Sequence, residues 1–188
     1  MSNPWNQYLP TTVNVSGKEY GIRSDYRAIL DICAALNDPQ LNDNERAVCV
    51  LVIFYPEFYE IPPSDYNAAI AECFRFINCG ESERPARKNL KLVNWEKDFH
   101  CIVAPINRVL GKEVRAAEYL HWWTFISAYY EIGGDCLFAQ IVHIRNLLQQ
   151  GKPLDKKDRE WYQKNRDLVD IREQYTEKDN EALREWLT

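Results

Sequence analysis

The sequence has little that would mark a catalytic or a metal-binding protein. Its 188 residues include only three histidines, one methionine and seven glycines. No glycine group has the spacing of a phosphate-binding loop, and no serine stands in a G-x-S-x-G turn. The six cysteines include no C-x-x-C pair, and no H-x-x-x-H pair occurs. We therefore expect no cofactor and no metal site, with thiols that stay free in a reducing compartment.

Two further features are missing, an excess of basic residues and a long apolar run. Lys and Arg number 23 against 28 Asp and Glu, which gives a formal charge of −5. Nucleic-acid binding is disfavoured, because a phosphate-tracking surface needs clustered positive charge. The longest apolar run covers residues 47–55, about half of the roughly 20 residues of a membrane span. With no secretory leader pattern at the N-terminus, we expect a cytoplasmic protein without a membrane span.

What is present indicates a mainly α-helical bundle with a small N-terminal β-hairpin. Hydrophobic residues make up 46% of the chain and charged residues 27%, as in ordinary globular domains. Val13 and Val15 alternate before a Ser-Gly-Lys turn at residues 16–18, and Tyr20 and Ile22 alternate after it. Period-two alternation around a glycine turn predicts a hairpin, which must lean on the helices that follow.

From Ser24 onward the apolar period is helical. Asn42 followed by Glu45 forms a capping box before residues 47–55, which predicts a central buried helix, although a buried strand is an alternative. Ser64 is expected to cap the third helix, and Asp135 the sixth. Pro105 predicts a kink or break in the fourth helix. The predicted helices cover residues 24–37, 42–55, 64–80, 94–111, 116–132 and 135–151, with an exposed loop at residues 80–91.

The composition changes after Gly151. Nineteen of the 38 residues from 151 to 188 are charged. We divide the chain into a hairpin-plus-helix core, residues 1–150, and a charged helical tail, residues 151–188. One tail helix is predicted from Asp155, and a short last one after the capping box at residues 176–179. Its narrow apolar stripe is expected to dock on the core, on another copy or on a partner.

The most unusual stretch places His121 beside Trp122 and Trp123 in the fifth predicted helix. Adjacent helical residues point in different directions, so one tryptophan should be core and the other at an edge. The short Gly133-Gly134 connection predicts an αα-hairpin that sets the pair against the sixth helix or just beside it. An edge tryptophan suits a partner interface, but packing of both under neighbouring helices is an equal alternative. The candidate partner-binding residues are Tyr119, Trp122, Trp123, Tyr130, Trp161 and Trp186.

No constellation for catalysis accompanies the histidines, so we expect no enzyme. His121 could serve as a general base or stack on a cofactor, but no second group that would orient it is identifiable. His100 and Cys101 diverge by about 100° on a helix, so the sequence predicts no dyad. His143 is expected to be a surface or satisfied histidine.

Three segments carry a resemblance to a known family. They are residues 9–30 (LPTTVNVSGKEYGIRSDYRAIL), residues 120–129 (LHWWTFISAY) and residues 133–146 (GGDCLFAQIVHIRN). Together they resemble the tailed-bacteriophage family named after a fifteenth gene product, from siphophages and prophages of Gram-positive bacteria. The L-H-W-W element, with I-R downstream, is the most specific part.

The resemblance implies a non-enzymatic tail assembly chaperone in the host bacterial cytoplasm. Such a chaperone coats the tape-measure protein, recruits tail-tube protein, self-associates and leaves the finished tail. An amphipathic helix docking in an apolar groove is compatible with that role. The alternatives are a structural tail or connector component retained in the virion, and an enzyme or small-molecule binding protein that uses His121.

Overall fold

The computed structural model describes residues 8–81 and 92–171 of the chain. The described part is mainly α-helical with one two-stranded antiparallel hairpin, so the predicted fold class is confirmed. The elements are β1 Thr12–Val15, β2 Lys18–Gly21, α1 Tyr26–Asn37, α2 Asp43–Phe54, α3 Tyr66–Ile77, α4 Trp95–Leu110, α5 Trp122–Tyr130, α6 Leu137–Gln149, α7 Lys156–Lys164 and α8 Arg166–Val169.

The hairpin forms where the alternation predicts it. Val13 pairs with Tyr20, and both side chains are buried. Ser16 and Gly17 have positive φ values of 51° and 90°, as the two central residues of a tight hairpin turn require. The apolar face of the hairpin packs on α3, which supplies the cover that two strands lack on their own.

Capping at α1 and α2 follows the sequence closely. Asp25 accepts from the Arg27 amide and begins α1, and the Asn42 and Glu45 capping box begins α2. The prediction that α2 is central and buried is wrong in part. Its inner face is buried, but Val48 and Val52 are exposed on its outer face, because no described element covers that side.

Helices α3 and α4 differ from the predictions in two details. A 3₁₀ turn at Pro63–Asp65 precedes α3, so Ser64 lies in that turn and is not the cap. Asn94, where the fourth helix is predicted to begin, caps α4 and accepts from the Lys97 amide. The helix then runs without interruption through Pro105, so the break predicted there is absent.

Helix α5 begins six residues later than predicted, because main-chain pairing holds the preceding segment extended. The Tyr26 amide donates to Leu120 O at 2.9 Å, and the Trp122 amide donates to Ser24 O at 2.8 Å. These bonds form an isolated bridge between Asp25 and His121. Tyr119, which lies within the predicted helix 116–132, therefore precedes α5.

The C-terminal part of the described chain packs on α6. Cys136, not Asp135 as predicted, caps α6, and Gly151 ends it with a φ of 65°. Asp155 caps α7 as predicted. We call residues 155–170, which contain α7 and α8, the C-terminal strap. Residues 82–91 of the loop predicted at 80–91, the last predicted helix and Trp186 lie outside the described residues. The domain boundary at 150 stays a prediction.

Candidate partner-binding surface

His121 stands at the start of α5 with both ring nitrogens bonded to main-chain groups. Nδ1 accepts from the Trp123 amide at 3.0 Å, and Nε2 lies 2.9 Å from Pro10 O. Because Nδ1 accepts, the proton resides on Nε2, which donates to Pro10. Burial lowers the pKa of the imidazole, and the Pro10 bond opposes part of that shift. His121 is thus a helix cap and a tether for the N-terminal segment, with no nitrogen left for a substrate.

The two tryptophans contact the end of α3, whereas the sequence predicted them to pack against α6 or just beside it. Trp122 Nε1 donates to Ile77 O at 2.9 Å, and Trp123 Nε1 donates to Phe76 O at 2.8 Å. The carbonyls of a last helical turn lack the amide donor that the next turn would supply. Here the Trp122 indole is the donor to Ile77 O, whereas Phe76 O accepts from both the Cys79 amide and the Trp123 indole. Trp123 also stacks on Phe76, with ring centroids 5.8 Å apart.

The pair divides into one core and one edge member. Trp122 is 3% exposed and Trp123 is half-buried, so Trp122 is the core residue. The indole of Trp122 also meets the Trp95 ring edge-on at 6.4 Å. Its polar group and its ring are both engaged, which makes Trp122 unavailable to a partner in this conformation.

The other predicted partner residues lie apart from one another. Tyr119 is 52% exposed, with its hydroxyl 2.7 Å from the Ser24 hydroxyl, and Tyr130 is 74% exposed at the end of α5. Trp161 lies on α7, where it is half-buried. Their binding of a partner stays a prediction, and among the predicted residues that the structure describes, Tyr119 and Tyr130 are the most exposed.

Trp161 lines a cleft between α7 and the first turn of α6. The cleft has a volume of about 360 Å³. Its lining combines apolar and charged side chains, because Leu137 and Trp161 lie beside Asp135, Lys157 and Asp158. Leu137 is 47% exposed there, so α7 covers the first turn of α6 only in part.

A buried ion pair that the sequence did not reveal joins α4, α6 and α8. The guanidinium of Arg145 contacts both carboxylate oxygens of Asp98, at 2.6 and 2.9 Å, with side chains 3% and 2% exposed. Arg145 also donates to Leu92 O at 3.0 Å, Leu168 O at 2.8 Å and Val169 O at 2.7 Å. All five N–H groups of the guanidinium therefore have a partner. The I-R element of the resemblance was the only signal that pointed to this residue.

The other two histidines, His100 and His143, each contact one neighbouring side chain. Cys101 Sγ lies 3.1 Å from His100 Nε2, a contact that the sequence did not predict. Burial, with a smaller effect of Asp98, nevertheless raises the pKa of the Cys101 thiol, which opposes a reactive thiolate. His143 is exposed and contacts Asp158 at 3.1 Å.

Residues 8–81 and 92–171 contain neither a cluster of metal-ligating side chains nor a helix suited to cross a membrane. No group of three or more His, Cys, Asp or Glu side chains there could hold a metal ion. None of the helices in those ranges combines the length and apolarity that crossing a membrane requires.

The described part is thus a helical scaffold whose buried polar side chains bind main-chain groups and fix helix ends. The chain belongs to the Bacteriophage Gp15 protein family, which it matches over residues 5–171. The match includes the hairpin, all eight described helices and the C-terminal strap. Searches of curated proteins and of solved structures found no match.

Proposed function

We propose that this phage protein is a non-enzymatic tail assembly chaperone that binds the tape-measure protein, the tail-tube protein or both in the host bacterial cytoplasm. Membership in the Gp15 family is the observation that carries the proposal. In that role the protein would self-associate and bind many short helical segments weakly, so that affinity comes from multivalency and stays reversible.

The exposed aromatic and aliphatic side chains support a role in protein binding. Tyr119 and Tyr130 flank α5 with more than half of their surface open, and Val48 and Val52 form an open apolar stripe on α2. Amphipathic helices recognise such side chains through anchors spaced one helical turn apart. Both ring nitrogens of His121 are bonded to main-chain groups, which favours a binding role over an enzyme that would use this residue.

The test is co-purification of the full chain with the tape-measure and tail-tube proteins encoded by the same phage. The double variant Tyr119→Ala/Tyr130→Ala should weaken binding at least about fivefold, because exposed aromatic anchors dominate such interfaces. Tyr59→Ala is the matched control, since Tyr59 is 80% exposed and outside the predicted set. A folded, monodisperse protein that binds neither tail protein refutes the proposal.

A further inference from the structure

The surface of α4 and α6 beneath α8 binds the C-terminal end of α8 through the main-chain carbonyls of that helix end. Arg145 donates to Leu168 O and Val169 O, and Lys97 Nζ donates to Asp170 O. Three consecutive carbonyls of a helix C-terminus thus receive donors from two cations. This arrangement suits any helix end, because unpaired carbonyls and the negative end of the helix dipole occur there in every sequence.

Only a few side chains of the C-terminal strap add to that contact. Val169 is 1% exposed, and Leu168 and Trp161 pack partly against the core. Helix α7 itself contains no buried residue. The deepest apolar contact of the strap is therefore made by the last two residues of α8, Leu168 and Val169, whose carbonyls accept from the Arg145 guanidinium.

Along α7 the attachment is polar and incomplete. Asp158 accepts from Gln140 at 3.2 Å and contacts His143 at 3.1 Å, and the cleft of about 360 Å³ lies beside these contacts. Partly exposed polar contacts of this kind contribute little to stability, because water competes for them. Release of the strap also leaves Arg145 paired with both oxygens of Asp98, so no unpaired charge is left behind.

We propose that the α4–α6 surface around Arg145 and Lys97 is a docking site for the C-terminal turn of an amphipathic partner helix, with the C-terminal strap as its built-in occupant. The partner would present three terminal carbonyls and two adjacent apolar side chains, as residues 168–170 do. Strap and partner then compete for one site, and the strap sets the affinity for the partner. This inference does not depend on the identity of any tail protein.

The experiment uses the full chain and one probe, a fluorescently labelled peptide with the sequence of residues 152–171, followed by fluorescence anisotropy. Val169→Ala in the protein weakens its own strap and should tighten peptide binding about tenfold, or about 1.4 kcal/mol. The same substitution in the peptide should weaken its binding to the unaltered protein about tenfold. When both molecules carry the substitution, the two effects should cancel.

Val169→Ala should strengthen peptide binding when it is in the protein and weaken it when it is in the peptide. Competition for one site predicts these opposite effects, whereas non-specific binding or a purely structural role of Val169 does not. A second strap variant, Asp158→Ala, releases α7 without touching the buried anchor and should also tighten binding. The Asp158→Ala protein replaces the Val169→Ala protein in the experiment if circular dichroism shows that the latter is misfolded. A peptide with Val169→Asp should not bind any of these proteins. Failure of the unaltered peptide to bind folded Asp158→Ala protein, or equal binding of the Val169→Asp peptide, overturns the proposal.

Discussion

Replacing Arg145 by methionine removes the cation at the junction of α4, α6 and α8 while keeping a side chain of similar length. Asp98 would then be a carboxylate only 2% exposed without its bidentate partner, and the carbonyls of Leu92, Leu168 and Val169 would lose their donors. Removing one member of a buried pair costs about 3–5 kcal/mol, because the other charge stays desolvated. That is a large share of the roughly 5–15 kcal/mol by which a domain is stable.

The assay is urea unfolding followed by tryptophan fluorescence, with calorimetry as a second probe. A loss of about 4 kcal/mol lowers Tm by roughly 8–16 °C in a chain of this size. The matched control is Arg108→Met, since Arg108 is 56% exposed and lies 3.4 Å from Asp135. An exposed pair of that kind contributes about 0–1 kcal/mol.

The double variant Asp98→Leu/Arg145→Met should recover part of the loss, because two apolar side chains leave no buried charge. The reasoning is refuted if Arg145→Met lowers the free energy of unfolding no more than Arg108→Met does. It is also refuted if the double variant is several kcal/mol less stable than Arg145→Met alone.

Three further predictions concern the aromatic cluster and the thiols. The folded-state pKa of His121 lies below its unfolded value of about 6.5, so its contribution is present above that pH and is lost as pH falls. The urea midpoint should therefore drop between about pH 7.5 and pH 5, and His121→Asn, which keeps a capping oxygen, should flatten that dependence. Trp122→Phe should cost about 1–3 kcal/mol in urea unfolding, because the partly buried Ile77 carbonyl loses its donor. Trp123→Phe should cost less, because Phe76 O keeps the Cys79 amide as a donor; equal costs would contradict this. A thiol reagent should modify the exposed Cys79 in the folded protein. The buried Cys73, whose pKa is raised by burial, should react only when the protein unfolds. Labelling of Cys73 in the folded protein would contradict this prediction.

The local parts of the fold were predictable from the sequence. The hairpin turn at Ser16-Gly17 and the capping box of Asn42 and Glu45 involve residues within a few positions of each other, and the structure confirms both. Such features depend on backbone geometry and nearby hydrogen bonds, which the sequence specifies directly.

The errors arise where distant segments meet. Helix α5 begins late because Leu120 and Trp122 pair with the main chain near Asp25, which lies far away in the sequence. The Trp pair is bound to α3 instead of α6 for a similar reason, since the carbonyls it contacts belong to residues 76 and 77. Helical periodicity reports which face is apolar but not which neighbour covers it.

The buried pair of Asp98 and Arg145 could not be derived from spacing. Each residue lies in a helix where charged side chains usually face solvent, and 47 positions separate them. The sequence predicted the charged tail and offered the core as one docking place, but the carbonyl contacts that hold the strap depend on where α8 ends.

A chaperone takes part in tail assembly and is absent from the finished particle, whereas a structural component stays. Quantitative mass spectrometry of infected-cell lysates and of purified virions therefore tests the proposed role most directly. The account predicts that the chain is abundant in lysates, where it co-purifies with the tape-measure protein, and at most a trace component of virions. Retention in virions at a fixed copy number comparable to that of tail proteins would contradict it.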